Sequence, residues 1–129
     1  MDCIRREDLK ENIAIIKINK SYRASMSALE LYDCTRGCWK RKLESVQMVE
    51  YVLAVAGGIV REVYKVDAWM PAKYLNRKTI PYNEIVEKGR IGFSGEVADS
   101  EIRKKYIGKK TTELFKRGEA NPLKVFLHK

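Results

Sequence analysis

The sequence predicts an α+β domain: a small, mixed, strongly bent sheet or open pseudo-barrel with helices packed outside it. Three observations carry this. The stretch Tyr51-Val-Leu-Ala-Val-Ala-Gly57-Gly58-Ile-Val-Arg-Glu-Val-Tyr-Lys-Val-Asp-Ala-Trp69 sets two Val-, Ile- and Tyr-rich arms about a Gly-Gly pair. Glycine reaches the positive φ angles that type I′ and II′ hairpin turns demand. Five strand-like runs follow one another mostly without crossover helices, in the order β-α-β-β-β-α-α-β, which argues against a purely parallel α/β sheet. The chain has 129 residues, of which 45% are hydrophobic, enough for one domain with its own core. It reads as a single domain over 1–129, with 1–11 as an N-terminal arm or short helical turn and no linker or repeat.

The elements follow in order. Asn12-Ile-Ala-Ile-Ile-Lys-Ile18 is the first strand. Ser27-Ala-Leu-Glu30 is a capping box, with Met26 and Leu31 placed as a hydrophobic staple. The helix it opens runs to about Arg36, and Gly37 suits a left-handed C-cap. Leu29 and Tyr32, with Cys34 or Thr35, are expected on its inner side. The first hairpin arm, Tyr51 to Val55, is apolar throughout, as in a strand covered on both faces. In the second arm strict alternation puts Val60, Glu62, Tyr64, Val66 and Ala68 on one face. Ile59, Arg61, Val63, Lys65 and Asp67 take the other. Neither face is purely apolar, so twist or a bulge is expected. Residues 72–89 read as loop with one helical turn. Arg90 to Ala98 alternates and forms a strand, with Gly92 and Gly95 marking a bend or close backbone approach. Asp99 caps a helix reaching about Tyr106. Thr111 or Thr112 opens a short helix stopped by Gly118, and Leu123 to Leu127 is the last strand.

Composition bounds the function. No apolar run approaches the length of a membrane span, and the polar start, Met1-Asp-Cys-Ile-Arg-Arg-Glu-Asp8, is unlike a signal peptide. Three cysteines, Cys3, Cys34 and Cys38, form no disulfide framework. A cytoplasmic protein without a membrane partner is expected. The 26 Lys and Arg against 17 Asp and Glu give a net charge of +9, which draws polyanions.

Catalytic options are few. The lone histidine, His128, stands beside the C-terminus, which disfavours Ser-His-Asp and Cys-His mechanisms. Cys34 and Cys38 have a metal-compatible spacing, but no other Cys or His pair completes four ligands, so neither metal nor cofactor is expected. Gly108-Lys-Lys-Thr111 lacks the first glycine of a phosphate loop, since residue 103 is Arg. The informative stretch is Thr35-Arg-Gly-Cys-Trp39-Lys-Arg-Lys42. Cations neutralise phosphates there, and an indole face stacks a base. The competing reading makes Trp39 a core plug edged by cations, with Arg36 and Lys40 answering the negative helix end.

The strings YVLAVAGGIVREVYKVDAW and RIGFSGEVA, with a helix ending near a tryptophan and a C-terminal strand, resemble the PUA-like superfamily, most nearly its EVE and ASCH-type members. The segment from Asn12 to Leu127 also resembles an uncharacterised bacterial domain with TRG-W and a late NP, loosely associated with restriction and DNA-modification proteins. The resemblance implies a pseudo-barrel whose cleft accepts RNA or a modified, flipped base. The ASCH signature G-x-K-x-x-E has no match in Ser27-Ala-Leu-Glu30-Leu-Tyr-Asp33, so the resemblance implies binding more than hydrolysis.

The expected function is a non-catalytic nucleic-acid-binding module, for RNA or DNA, contacting its ligand through Arg36, Trp39, Lys40, Arg41, Tyr64, Trp69 and Arg90. Two alternatives stay open. One is a small hydrolase of a modified nucleoside or nucleic acid, using Glu30, Asp33, Thr35 and Lys40. The other is a protein-interaction subunit, a homodimer among its forms.

Overall fold

The computed structural model describes residues 2–128. Five strands form one mixed, open sheet: β1 (Ile13–Lys17), β2 (Tyr51–Ala56), β3 (Ile59–Pro71), β4 (Ile91–Val97) and β5 (Leu123–Phe126). Their spatial order is β4-β3-β2-β1-β5. Only β1 and β2 run parallel, joined through helix α1 (Ala28–Arg36); the other neighbours are antiparallel. Helices α2 (Glu84–Glu87) and α3 (Ser100–Tyr106) flank β4. Single 3₁₀ turns occupy Arg6–Asp8, Leu43–Ser45, Ala72–Tyr74 and Thr112–Leu114.

The order therefore differs from expectation. The one helical turn expected within residues 72–89 is α2 and takes a place in the order between β3 and β4, while the segment from Thr112 makes one 3₁₀ turn rather than a helix reaching Gly118. Asn83 starts α2: its side chain accepts from the Ile85 N–H and caps the turn.

The hairpin turns at Gly57 (φ 62°) and Gly58 (φ 76°), the two positive values of a type I′ turn. Its long arm is bulged twice. Ala54 pairs with Glu62 but Val55 with Val60, leaving Arg61 extra. Val60 and Val63 thereby share one face, against the strict alternation read from the sequence. Val66 pairs with Gly95 but Ala68 with Ser94, leaving Asp67 extra. Trp69 thus packs on the same side as Tyr64. Each bulge keeps inside an apolar side chain that unbroken alternation would expose, worth about 1.5–3 kcal/mol.

Both sheet faces are covered, and β2 at the centre is buried from Val52 to Ala56. One face carries Ala14, Ile16, Val52, Tyr64, Phe93 and Leu123 beneath α1 and the segment after it. The other carries Ile15, Leu53, Val55, Val63 and Phe126 beneath α3, with Ile4 and Leu9 of the N-terminal arm. That arm is a packed part of the core, Ile4 being 1% exposed.

Helix α1 starts as its capping box requires: the Glu30 N–H donates to Ser27 Oγ at 3.1 Å, and the Ser27 N–H to Glu30 Oε1 at 3.0 Å. Its buried residues are Asp33, Cys34, Thr35 and Arg36, whereas Leu29 is exposed. Gly37 is extended (φ −167°) and not left-handed. Space explains it instead: a Cβ there would lie 2.5 Å from Leu75 Cδ1. Gly92 is more confined, since a Cβ would meet the Arg36 carbonyl oxygen at 2.1 Å.

Candidate nucleic-acid interface

The site forms where the two edge strands enter the sheet. After α1 the chain runs along the start of β4: the Trp39 N–H donates to Ile91 O at 2.8 Å, and the Ile91 N–H to Trp39 O at 3.0 Å. Two residues on, Arg41 Nη1 donates to Leu123 O at 3.1 Å, at the start of β5. One short segment thus touches both sheet edges. The Trp39 indole N–H is spent on Thr35 O at 2.9 Å, which fixes the ring, and the side chain is half-buried.

Two depressions share Lys40, Arg41 and Arg90. The larger, about 520 Å³, adds Lys42, Ser45, Val86, Lys88 and Gly89. The smaller, about 230 Å³, adds Cys38, Trp39, Asn121, Pro122 and Leu123. Five cations therefore line one opening with no carboxylate among its lining residues. None of the ion pairs among the described residues involves any of the five. Five like charges gathered without counter-charges raise a positive potential that concentrates anions.

Trp39, Lys40, Arg41 and Arg90 are thus brought together as expected of one site. Arg36, Tyr64 and Trp69 are not. Arg36 points inward: Nε donates to Phe93 O (3.0 Å), Nη2 to Leu75 O (2.9 Å) and Nη1 to Asp33 (3.4 Å), with the guanidinium 4.7 Å from the Tyr32 ring centre. Tyr64 is 1% exposed and packs against Tyr32 and Phe93. Trp69 lines a separate cleft with Met48, Tyr51 and Lys65, and its indole N–H is buried with no partner among the described residues.

The residues missing from the expected set are Lys42, Lys88, Asn121 and Pro122. Lys42 ends the basic stretch that begins at Thr35, whereas Lys88, Asn121 and Pro122 stand out only as a cation and turn residues just before a strand. Nothing local says that the starts of β4 and β5 meet at the segment after α1.

The loop bearing Lys88 and Arg90 is held by a buried polar network. Asp33, 0% exposed, accepts from the Thr79 N–H and Thr79 hydroxyl, both at 2.8 Å. Arg77 donates to Gly37 O (3.0 Å), Cys38 Sγ (3.2 Å) and Glu87 Oε1 (2.7 Å). Burial raises the Glu87 pKa, but the Asn83 N–H, the Arg77 guanidinium and the Cys38 thiol outweigh it and hold the carboxyl below its ordinary range. Burial pushes the Cys38 thiol up to about 11, against the pull of Arg77, so it is protonated at neutral pH and a poor nucleophile.

The residues of the hydrolase alternative do not share a cavity with Lys40. Glu30 closes the capping box, Asp33 sits inside the network, and the Thr35 hydroxyl donates to Leu31 O. Among the described residues no three His, Cys, Asp or Glu side chains gather as a metal site, and no helix is long and apolar enough to cross a membrane. No family model, curated protein or solved structure matches the chain.

Proposed function

We propose that this protein is a nucleic-acid-binding module whose contact surface is the cleft between residues 38–42, 88–90 and 121–123. One observation carries the reading: five cations with no ion-pair partner among the described residues line an opening beside a half-buried tryptophan. Cations paired within a fold give little to a ligand; unpaired ones release counterions when phosphates replace solvent. The smaller depression is lined by Trp39, two arginines and Asn121, whose carboxamide oxygen accepts from the Leu123 N–H at 3.3 Å. That chemistry suits a base, stacked on the ring and hydrogen-bonded along its edge, and a modified or extruded base is the ligand the PUA-like resemblance favours. A pseudo-barrel reading of the fold draws support from the same place, where residues 39–41 contact both edge strands.

The test is binding of the pure protein to RNA and DNA oligonucleotides, single-stranded and duplex, with and without modified bases, at several salt concentrations. Affinity is expected to fall with salt by about 0.7 log units per log unit for each phosphate contacted on a single strand, and about 0.9 on duplex. Arg90→Ala should lessen that slope. Absence of binding at low salt would overturn the reading and leave the protein-interaction alternative ahead.

A further inference from the structure

A second basic depression, about 490 Å³, lies around the corner from the first. Lys17, Asn19, Val55, Gly58, Thr111, Thr112, Phe115, Lys116 and Arg117 line it, again without a carboxylate. Of the nearby acids, Glu119 stands at the rim, where its carbonyl accepts from Lys17 Nζ at 3.2 Å, and Glu113 is turned to the N-terminal arm. Glu119 accepts from the Lys116 N–H and from Lys124 Nζ, both at 3.0 Å, and Glu113 pairs with Arg5. Lys17 Nζ sits 3.9 Å from the centre of the Phe115 ring, so this basin too sets a cation beside an aromatic residue.

The two depressions occupy opposite faces of one sheet corner. Leu123, at the first, belongs to the core beneath α1, and Val55, at the second, to the core beneath α3. The β1–β5 pair joins them, where Ile16 pairs with Leu123 and the Lys17 N–H donates to Pro122 O at 2.7 Å. Along the chain, Arg117 of the second is four residues from Asn121 of the first, at most about 14 Å of extended backbone.

Resting on the nucleic-acid reading of the first cleft, we infer that the ligand is a single strand that passes from that cleft over Asn121-Pro122 and round the β5 edge into the basin of Lys17, Lys116 and Arg117. A duplex, stiff over about 50 nm, cannot turn from one sheet face to the other within so short a path without a large bending cost. A single strand can, and a path of cations that follows its flexible backbone suits it.

The experiment compares the wild-type protein with the Lys116→Ala/Arg117→Ala double variant. Both changes fall on exposed side chains. The probes are single-stranded oligonucleotides of about four and about sixteen nucleotides, the ends of the range for single-strand grooves, and a duplex as long as the second. The double variant is expected to bind the short strand and the duplex like wild type. On the long strand it should lose affinity and about 1.4 of the salt slope, two phosphates at about 0.7 each. Unchanged binding of the long strand would overturn the wrapped path while leaving the first cleft standing. Equal weakening on duplex and long strand would overturn the single-strand assignment. If no probe binds the wild-type protein, the first cleft itself fails and this inference with it.

Discussion

Arg36 and Lys40 lie four residues apart, yet their charges are handled oppositely. The Arg36 guanidinium is enclosed, facing Asp33 and two main-chain carbonyls, and Arg77 nearby faces Glu87 and the Gly37 carbonyl. Lys40, Lys42, Lys88 and Arg90 face solvent in a common opening, with Arg41 tied only to a carbonyl and a hydroxyl. A buried charge must be paired and hydrogen-bonded to be tolerated. An exposed one need not be, and a group of unpaired cations is costly only through mutual repulsion, which a polyanion relieves. The two corners are connected. The inner network anchors the 72–90 loop against α1, and that loop delivers Lys88 and Arg90 to the cleft. Rigid placement of binding groups by a satisfied interior reduces the ordering cost on association.

The comparison predicts that charge removal costs stability in the first region and binding in the second. Asp33→Asn is the most severe case. It leaves Arg36 enclosed without its carboxylate and gives the Thr79 donors a weaker acceptor. Breaking a buried pair costs about 3–5 kcal/mol, to be read as a lowered urea midpoint. A change within experimental error would mean that Asp33 holds nothing together. Glu87→Gln is milder, because Arg77 keeps its carbonyl acceptors; about 1–3 kcal/mol is expected. Here pH sharpens the test. The folded-state pKa of Glu87 is lowered, so its contribution is complete above the ordinary carboxylate value of about 4.3. It is lost as pH falls through the lowered pKa. The stability gap between wild type and variant should therefore close on acidification, and a gap constant down to low pH would assign the effect to packing.

Ser27→Ala stands between the two regions, since it touches neither the network nor the cleft. Losing the Oγ acceptor of the capping box should cost about 0.5–2 kcal/mol, measured by thermal melting, with oligonucleotide affinity unchanged. A parallel loss of binding would show that the start of α1 also sets the cleft.

How far the sequence revealed all this depended on whether the signal was local. The Gly57-Gly58 turn, the Ser27 cap and the Asp99 cap rest on contacts within a few residues, and each stands where expected. Leu29 failed because a helix face is decided by what packs on it, and the sheet covers the side bearing Cys34 and Thr35. The bulges at Arg61 and Asp67 were foreshadowed by mixed faces, but their positions depend on cross-strand register. The candidate site divided on the same principle. Trp39, Lys40 and Arg41 are consecutive and remain together. Arg36 lies only three residues before Trp39, but it ends α1 on the side facing Phe93 and Leu75, so the cations of one short stretch split between interior and surface. Lys88 and Asn121 join through long-range strand placement that no local pattern encodes.

The smallest expected change in stability is the most informative about function. Lys42→Ala and Lys88→Ala remove exposed side chains with no ion-pair partner among the described residues. Their stabilities should stay within about 0.5 kcal/mol of wild type, as for surface substitutions away from special features. A slight gain is expected at low salt, where five like charges repel most strongly, and it should fade as the Debye length shrinks from about 30 Å at 0.01 M to about 3 Å at 1 M. Measuring melting temperature across that salt range, without any ligand, therefore reports whether the cleft cations are uncompensated. If either substitution destabilises the fold at low salt, that lysine has an attractive partner and the contrast with the Arg36 network is false. If both stabilise it at low salt only, the cleft holds unrelieved positive charge, the physical condition on which polyanion binding at this surface depends.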